Sequence, residues 1–519
     1  MKNAVNRDIP EILLGEDKDI YQGKYYMDGR IYKKDAPHSC PVVKPIDSKV
    51  VGSIKEVCQK IGVRDGMTIS FHHALRNGDY VMSTVTKVLV EELGVRDLTI
   101  AATSLGDAQD LIADYIEAGY VTGVQTSGIR GRIGEVISAG KLKTPAIIRS
   151  HGGRPRAIST GDVHIDIAFM AAASCDKQGN AKGTGGKNNF GSMGYAIDDS
   201  YYADYTVIVT DTLNDYPNIP CTVDATNVDY VVLVDAIGNN KKIATKEARM
   251  TQDPRELMMA ENVANIIAAT PYFKEGFSFQ TGAGGPSLAV NRFLESHMRQ
   301  KNVKMGFAVG GISNAICDLQ DKGLVGHIFD VQNFDLPAGE HLEKNSKHHE
   351  ISVSQYANPF NKGAFVNMLD FVVLSALEID TDFNVNVITG SDGILRGAPG
   401  GHPDTAAGSK CCIVVTPLTR GRMATVCEKV VTVTTPGDCI DVLVTDYGIA
   451  VNPLREDIKK WLDEAGIAHV EIDALKEKAY SLVGRPSNLE WEDEIVAIVE
   501  ARDGTLLDVV KKIKPLILD

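Results

Sequence analysis

The sequence predicts an α/β fold built as two related domains in tandem, each with a largely parallel sheet. Two observations carry this. From Lys49 onward, short β-branched runs alternate with helix-like stretches, and strands alternating with helices assemble into parallel sheets covered on both faces. The second half of the chain also repeats the first. "DIAFMAAASCDKQGN" at 166–180 matches "DFVVLSALEIDTDFN" at 370–384, so that Asp166, Ala172, Asp176 and Asn180 fall on Asp370, Ala376, Asp380 and Asn384 at one constant offset. "GYVTGVQ" (119–125) and "GLVGHIF" (323–329) keep that offset, and "RDGMTISF" (64–71) answers "KEGFSFQT" (274–281) a few residues out of step. Anchors in a shared order imply duplication of one domain, and two packed copies leave a cleft between them.

The elements follow in chain order. Residues 1–50 are polar with little periodicity and read as an irregular arm suited to contact with a partner. "MTISF" (67–71), "LTIAA" (98–102), "VTGVQT" (121–126), "AIIRS" (146–150), "IDIAFMAA" (165–172) and "YTVIVT" (205–210) read as strands. "DYVMSTVTKVLVEELG" (79–94) and "DAQDLIADYIEAG" (107–119) read as helices, the second stopped by a C-terminal glycine. The boundary between copies falls near 250–262, where Pro254 suits the first turn of a helix. The expected units are thus an arm (1–50), a first α/β domain (51–255) and a second (256–519). An apolar run from Val303 to Val309 reads as a strand ending on Gly310 and Gly311, with a helix after Ser313 and Asn314. The repeated Asp-x-x-x-Asn pairs read either as turns closing a buried strand, with side chains bonded to their own backbone, or as part of a site.

Composition narrows the function. At 519 residues the chain is too long for one ordinary core. A net charge of −14 argues against a nucleic-acid footprint, which needs clustered Lys and Arg. No uninterrupted apolar stretch approaches the ~18 residues of a membrane span, and the N-terminus lacks the apolar core of a signal peptide. Nine scattered cysteines without C-x-x-C suggest reduced thiols, hence a cytoplasmic protein. There is no HExxH, and the adjacent pairs His72–His73 and His348–His349 point apart, so no metal site is expected.

Three glycine-dense loops offer backbone N–H groups to an anion: 183–194, 280–290 and 390–408. The second runs from a strand through Gly282, Gly284 and Gly285 into a helix start, a ready anion site, without matching a Walker or dinucleotide fingerprint. Glu378 stands in an otherwise apolar strand. It reads as a catalytic or orienting carboxylate or as a strand glutamate held by hydrogen bonds. Arginines near small residues (Arg76, "SGIRGR" 127–132, "HGGRPR" 151–156, Arg396 and "RGR" 420–422) suit a multiply charged carboxylate. No Gly-x-Ser-x-Gly elbow supports a hydrolase triad.

Seven stretches, "DGMTISFHHALRNGD", "TSGIRG", "SHGGRP", "YFKEGFSFQTGAGGPSLAVNRFLE", "VGGISN", "SALEIDTDFNVNVITGSDGILRGAPGGHPDTA" and "VTDYGIAVNP", together resemble the citrate lyase alpha-subunit family. The resemblance runs from about residue 55 to the C-terminus. It implies two tandem CoA-transferase-like α/β domains with the active cleft between them. The activity it implies is citrate CoA-transfer: acetyl-S-carrier plus citrate gives citryl-S-carrier plus acetate. The implied partners are a gamma subunit, the acyl carrier with a phosphoribosyl-dephospho-CoA arm, and a beta subunit that cleaves the citryl thioester. No cofactor is expected to be bound by this chain itself.

The resemblance also implies site residues. The wider fold carries a G-x-G-G-x-x-D loop beside the CoA arm, similar to Gly397-Ala-Pro-Gly-Gly401-His-Pro-Asp404 with one extra residue in its first spacing. Gly282, Gly397, Gly400, Gly401 and His402 are therefore expected along the pantetheine path. Relatives that work through a covalent glutamyl thioester have a glutamate where Asn314 aligns, and an amide cannot form that intermediate. The implied route is a citric–acetic mixed anhydride, formed when a citrate carboxylate attacks the acetyl thioester itself. Gly282–Gly285 and Asn314 are then expected as carbonyl or oxyanion donors, and Arg76, Ser127, Arg130 and His151 as the citrate set. Two other readings stand beside this one: a covalent CoA-transferase or acyl-CoA hydrolase with Glu378 as nucleophile, and a non-catalytic scaffold for the partner subunits.

Overall fold

The computed structural model describes residues 1–13, 20, 43–44, 46–244, 251–282, 284–486 and 488–514. Most of the N-terminal arm, Cys40 within it, lies outside the described residues, as do the residues just before the expected boundary.

Two large sheets dominate the structure. In spatial order, the central strands of the first are Tyr230–Leu233, Tyr205–Thr210, Ile167–Ala172, Thr68–Phe71, Leu98–Ala102, Val121–Thr126 and Ala146–Ile148, all parallel. Those of the second are Val442–Thr445, Cys411–Val415, Phe371–Leu374, Phe277–Thr281, Met305–Ile312, Val325–Asn333 and His348–Glu350, again all parallel. The two orders correspond strand for strand, as the sequence repeat implies. Each copy also carries a small three-stranded sheet, Leu213–Asn214/Ser174–Asp176/Ala181–Lys182 in the first and Val385–Asn386/Glu378–Asp380/Val426–Cys427 in the second.

The repeated acidic residues work identically in the two copies. Asp166 Oδ2 accepts the Thr68 N–H at 2.7 Å, and Asp370 Oδ2 accepts the Ser278 N–H at 2.9 Å, so each ties two neighbouring strand starts. Asp176 Oδ1 accepts the N–H groups of Gln178, Gly179 and Asn180, and Asp380 Oδ1 those of Asp382 and Asn384. These pairs are turn locks, which satisfy backbone donors at the end of a buried strand.

The expected strands and helices fall within a few residues of their observed bounds. Asp253 Oδ1 accepts the Arg255 N–H at 2.8 Å and caps the helix Pro254–Ala269, whose proline sits in the first turn. One expectation shifts: the strand at 303–309 runs on through both glycines to Ile312, with a bulge between Gly310 and Gly311. Gly310 has φ +107°, a backbone that favours glycine.

The last strands depart from the expected division. The hairpin Trp491–Glu500/Leu506–Ile513 joins the first sheet, pairing parallel with Ala146–Ile148. Arg149 fixes it through Glu500, with Nε 2.6 Å and Nη2 2.9 Å from the two carboxylate oxygens. The span 256–519 thus supplies the second sheet and closes the first.

Loops cross between the copies. The Gly397 carbonyl accepts the Ile129 N–H at 3.0 Å, and the Gly400 carbonyl accepts the His151 N–H at 2.7 Å. Asp404 accepts Ser150 Oγ–H and the Gly152 N–H, both at 2.8 Å, with Arg502 Nε 3.5 Å away. Burial pushes the Asp404 carboxyl up to about 6 from an ordinary 3.8. A group raised on folding stabilises at low pH, and that contribution fades as pH rises through its folded value. An asparagine side chain at this position would not titrate. The stability of Asp404→Asn relative to wild type is therefore expected to improve between about pH 4 and about pH 8, by at most about 3 kcal/mol. Denaturant melts at both pH values check this, and a pH-independent difference would exclude it.

Candidate active site

Between the copies lies a cavity of about 590 Å³. Its walls come from the residues at or just past strand ends: His73, Ser104, Ser127 and His151 from the first sheet, and Gln280–Gly282, Gly311, Gln332 and Ser375 from the second. The carboxyl ends of parallel strands are where such folds place ligands.

On the first-domain wall, three rings pack together. His73 stacks on His151 with centroids 5.9 Å apart, and Tyr195 lies 5.1 Å and 4.7 Å from them. Thr103 Oγ1 is 2.6 Å from His73 Nδ1. Burial, then the neighbouring His151, Arg76 and Arg130, holds His73 well below the usual histidine range. Burial likewise pushes His151 down to about 3, helped by Arg154 and Arg130. Both rings are neutral near pH 7.

On the second-domain wall, Gln280 Nε2 donates to Tyr356 Oη at 2.8 Å. Gly284 caps the helix Gly285–Lys301, whose first N–H groups lack intrahelical partners. His402 begins the helix His402–Gly408, with Nδ1 2.7 Å from Thr435 Oγ1 and Nε2 3.1 Å from the Ser375 carbonyl. A carbonyl only accepts, so the His402 proton sits on Nε2. Burial lowers this ring to about 4.

The cavity favours anions. Arg76, Arg130 and Arg396 line it, against Asp107 as the one carboxylate among its described lining. Arg76 holds its guanidinium 5.1 Å from the Phe334 ring centre, and Arg130 Nη1 is 3.4 Å from Ser104 Oγ. The helices starting at Gly131, Gly285 and His402 add positive dipole ends at Arg130, Gly284 and Gly401.

Nine of the expected site residues line this cavity: Arg76, Ser127, Arg130, His151, Gly282, Gly284, Gly400, Gly401 and His402. Four do not. Gly285 is the first helical residue behind Gly284. Gly397 is a packing glycine, since a Cβ there would meet the Val387 carbonyl oxygen at 1.9 Å. Asn314 turns its amide outward to Asp318, at 3.2 Å and 3.3 Å, and its N–H to Asp335. That turn reaches the cavity through Gly311, beside Phe334 just past the end of the neighbouring strand. Glu378 is buried off the wall, accepting from Asn386 Nδ2 at 2.8 Å, Ser391 Oγ at 2.7 Å and the Val431 N–H at 3.2 Å. It is a strand glutamate held by hydrogen bonds.

The arginine clusters divide in the same way. Arg154 forms a buried ion pair with Asp199, Arg156 pairs with Asp162 and Glu500, and Arg132 pairs with Asp114 and Glu117 at the surface. Arg420 donates to the Ala376 carbonyl. Sequence reasoning missed His73, Tyr195, Gln280, Gln332, Tyr356 and Ser375. The signal for His73 was present: in an adjacent pair one ring faces the core, here His72 with Nε2 3.0 Å from the Ala171 carbonyl, and the other faces out to the cleft.

A duplicated α/β architecture, with an arginine-bearing, glycine-lined cleft at the strand ends, defines a CoA-transferase-like protein. The family model described as citrate lyase, alpha subunit (CitF) matches residues 47–513. The citrate lyase alpha chain of Escherichia coli (strain K12) is 48% identical over 471 residues, spanning 91% of this chain and 92% of that one. That of Haemophilus influenzae is 46% identical over 492 residues, spanning 95% and 98%. A solved Streptococcus mutans chain, described as the alpha subunit of citrate lyase in complex with citrate, superposes with a TM-score of 0.90 at 48% identity, covering 99% of this chain and 100% of that one. The malonate decarboxylase alpha subunit of Acinetobacter baumannii shares the fold, with a TM-score of 0.64 at 15% identity and coverage of 84% and 87%. The chain belongs to the citrate lyase alpha-subunit family.

Proposed function

We propose that this chain is the citrate CoA-transferase subunit of a cytoplasmic citrate lyase. It exchanges the acetyl group on a carrier thioester for citrate, giving citryl-carrier and acetate. Its partners are a gamma subunit, which carries the phosphoribosyl-dephospho-CoA arm, and a beta lyase subunit. The observation that carries the reading is a cleft with three arginines and several helix N-termini but no glutamate among its described lining residues. Such a cleft suits a tricarboxylate and an acyl carbonyl, with transfer between two bound substrates.

In that route a citrate carboxylate oxygen attacks the acetyl carbonyl carbon, and the C–S bond breaks to release the carrier thiolate. The thiolate then attacks the citryl carbonyl of the mixed anhydride, and acetate leaves. Holding both substrates in one cleft supplies roughly 7–11 kcal/mol of the barrier. Arg76, Ser127, Arg130 and His151 hold citrate, and Gly282 and Gly284 with the helix start behind them stabilise the developing oxyanion. Gly400, Gly401 and His402 shape the pantetheine path. The purified chain with acetyl-CoA and citrate is expected to form citryl-CoA, followed by mass spectrometry, with the acetylated carrier as the second donor. Product from neither donor would sink the proposal.

The position of Glu378 favours this route over a covalent one. Glu378→Gln is expected to keep at least about a tenth of the transfer rate, since it removes no group that touches substrate. Intact mass after acetyl-CoA treatment is expected to show no CoA on the wild-type chain. A Glu378-dependent mass increase would establish the covalent route instead.

A further inference from the structure

Cys317, His341 and His348 converge from three elements: the helix Asn314–Asp321, the helix Leu336–Lys344 and the strand His348–Glu350. One potential ligand atom of each lies within 4.8 Å of the others. Nδ1 of His341 is 2.9 Å from Nδ1 of His348. The opposite nitrogen of each ring faces a carboxylate: His348 Nε2 is 2.9 Å from Asp330 Oδ2, and His341 Nε2 is 3.3 Å from Asp321 Oδ1. Asp330 Oδ2 also accepts from Asn333 Nδ2 at 2.6 Å, which marks it as an acceptor.

The Asp330 contact fixes the His348 tautomer. An imidazole that donates through Nε2 keeps its lone pair on Nδ1. The His348 Nδ1 lone pair therefore points at His341 Nδ1 across hydrogen-bond distance, with the buried Cys317 thiol in the same cluster. His341 Nε2 is also 3.0 Å from Asn345 Nδ2, so without a metal His341 donates from Nδ1 to His348. Carboxylates that orient ligating histidines from behind are a regular companion of metal sites.

We propose that Cys317 Sγ, His341 Nδ1 and His348 Nδ1 bind one zinc ion, with solvent as the fourth ligand. Two imidazoles and one thiolate suit zinc, with bonds of about 2.0–2.1 Å to nitrogen and about 2.3 Å to sulfur. On binding, the Cys317 S–H bond gives its proton to solvent as the Zn–S bond forms, and the His341 proton moves from Nδ1 to Nε2, beside Asp321, so that both rings bind neutral. The fourth position opens where the His341 ring is partly exposed. None of the three ligands lines the cleft, so the ion is structural. It clips together the elements flanking the strand Val325–Asn333, whose end carries Gln332 and leads to Phe334 on the cleft wall. Sequence spacing hides the site, because no two of its ligands form a short recurring motif.

The test uses the full-length chain, reduced, stripped with chelator and titrated with Zn²⁺ or Co²⁺. One equivalent is expected to bind. Co²⁺ is expected to give a thiolate-to-metal charge-transfer band, and Zn²⁺ to raise the unfolding temperature by a few degrees. Cys317→Ser, a near-isosteric change, is expected to abolish the band, and the partly exposed His341→Gln to weaken binding at least about tenfold. A second cluster, His164, Asp166 and Asp204, is more open to solvent, and His164→Gln is expected to change neither signal. Absence of a charge-transfer band in the wild-type chain, or a band that survives Cys317→Ser, would overturn the assignment.

Discussion

Gly401→Val is expected to reduce citrate-dependent transfer by about 100-fold or more while leaving the far-ultraviolet circular dichroism spectrum unchanged. A Cβ at position 401 would meet Tyr356 Oη at 2.3 Å and two carbons of its ring at 3.1 Å. Tyr356 cannot give way cheaply. It is 2% exposed, packed among Val309, Val331 and Ile351, and hydrogen-bonded to Gln280. The added side chain therefore displaces Tyr356 and Gln280 together, and both line the cleft. A misplacement near 1 Å in such a site costs about two orders of magnitude in rate. Steady-state kinetics with the acetylated carrier checks this, and a variant with near wild-type kcat/KM would show that the Gly401 turn lies away from the reacting groups.

Arg154→Met is expected to cost about 3–5 kcal/mol of stability. The Arg154 guanidinium is bidentate to Asp199, at 2.6 Å and 2.9 Å, and also donates to Ser70 Oγ at 2.8 Å and to the Ala101 carbonyl at 3.3 Å. Side-chain exposures of 7% for Arg154 and 2% for Asp199 leave water little part in solvating either charge. Removing the cation strands the Asp199 carboxylate in the core, which is where the cost arises. The double variant Arg154→Met/Asp199→Leu is expected to recover much of the loss, because an apolar pair of similar volume can replace a buried ion pair. Equilibrium unfolding in urea reads both effects. A single variant within about 1 kcal/mol of wild type would show that the pair contributes little.

Much of this architecture is legible in the chain. The match of 166–180 to 370–384 reports two sheets with the same strand order, because Asp166 and Asp370 each perform one local task that any copy of the domain needs. The glycine loops are legible for the same reason: Gly284 and Gly401 stand at helix starts, and helix starts have sequence signatures. What escapes is set by partners far away in the chain. Arg154 reads as a ligand arginine until Asp199 is seen beside it, and Glu378 reads as a cleft acid until Asn386, Ser391 and Val431 take up its oxygens. Asn314 reads as a cleft amide until Asp318 and Asp335 are seen to hold it. The register shift at Gly310/Gly311 carries the strand to Ile312, and the amide then turns along its own helix to Asp318.

The pairing of the final hairpin with Ala146–Ile148 also bears on how the chain is made. On the ribosome, the strand Ala146–Ile148 emerges long before its neighbour Trp491–Glu500. Throughout synthesis of the second half, the nascent first domain therefore presents an unpaired β-edge, the kind of surface on which chains aggregate. Arg149 and Arg156 stand beside that edge, where charged side chains disfavour edge-to-edge pairing; Arg156 has Asp162 as a partner from the start, whereas Arg149 meets its carboxylate only when Glu500 is made.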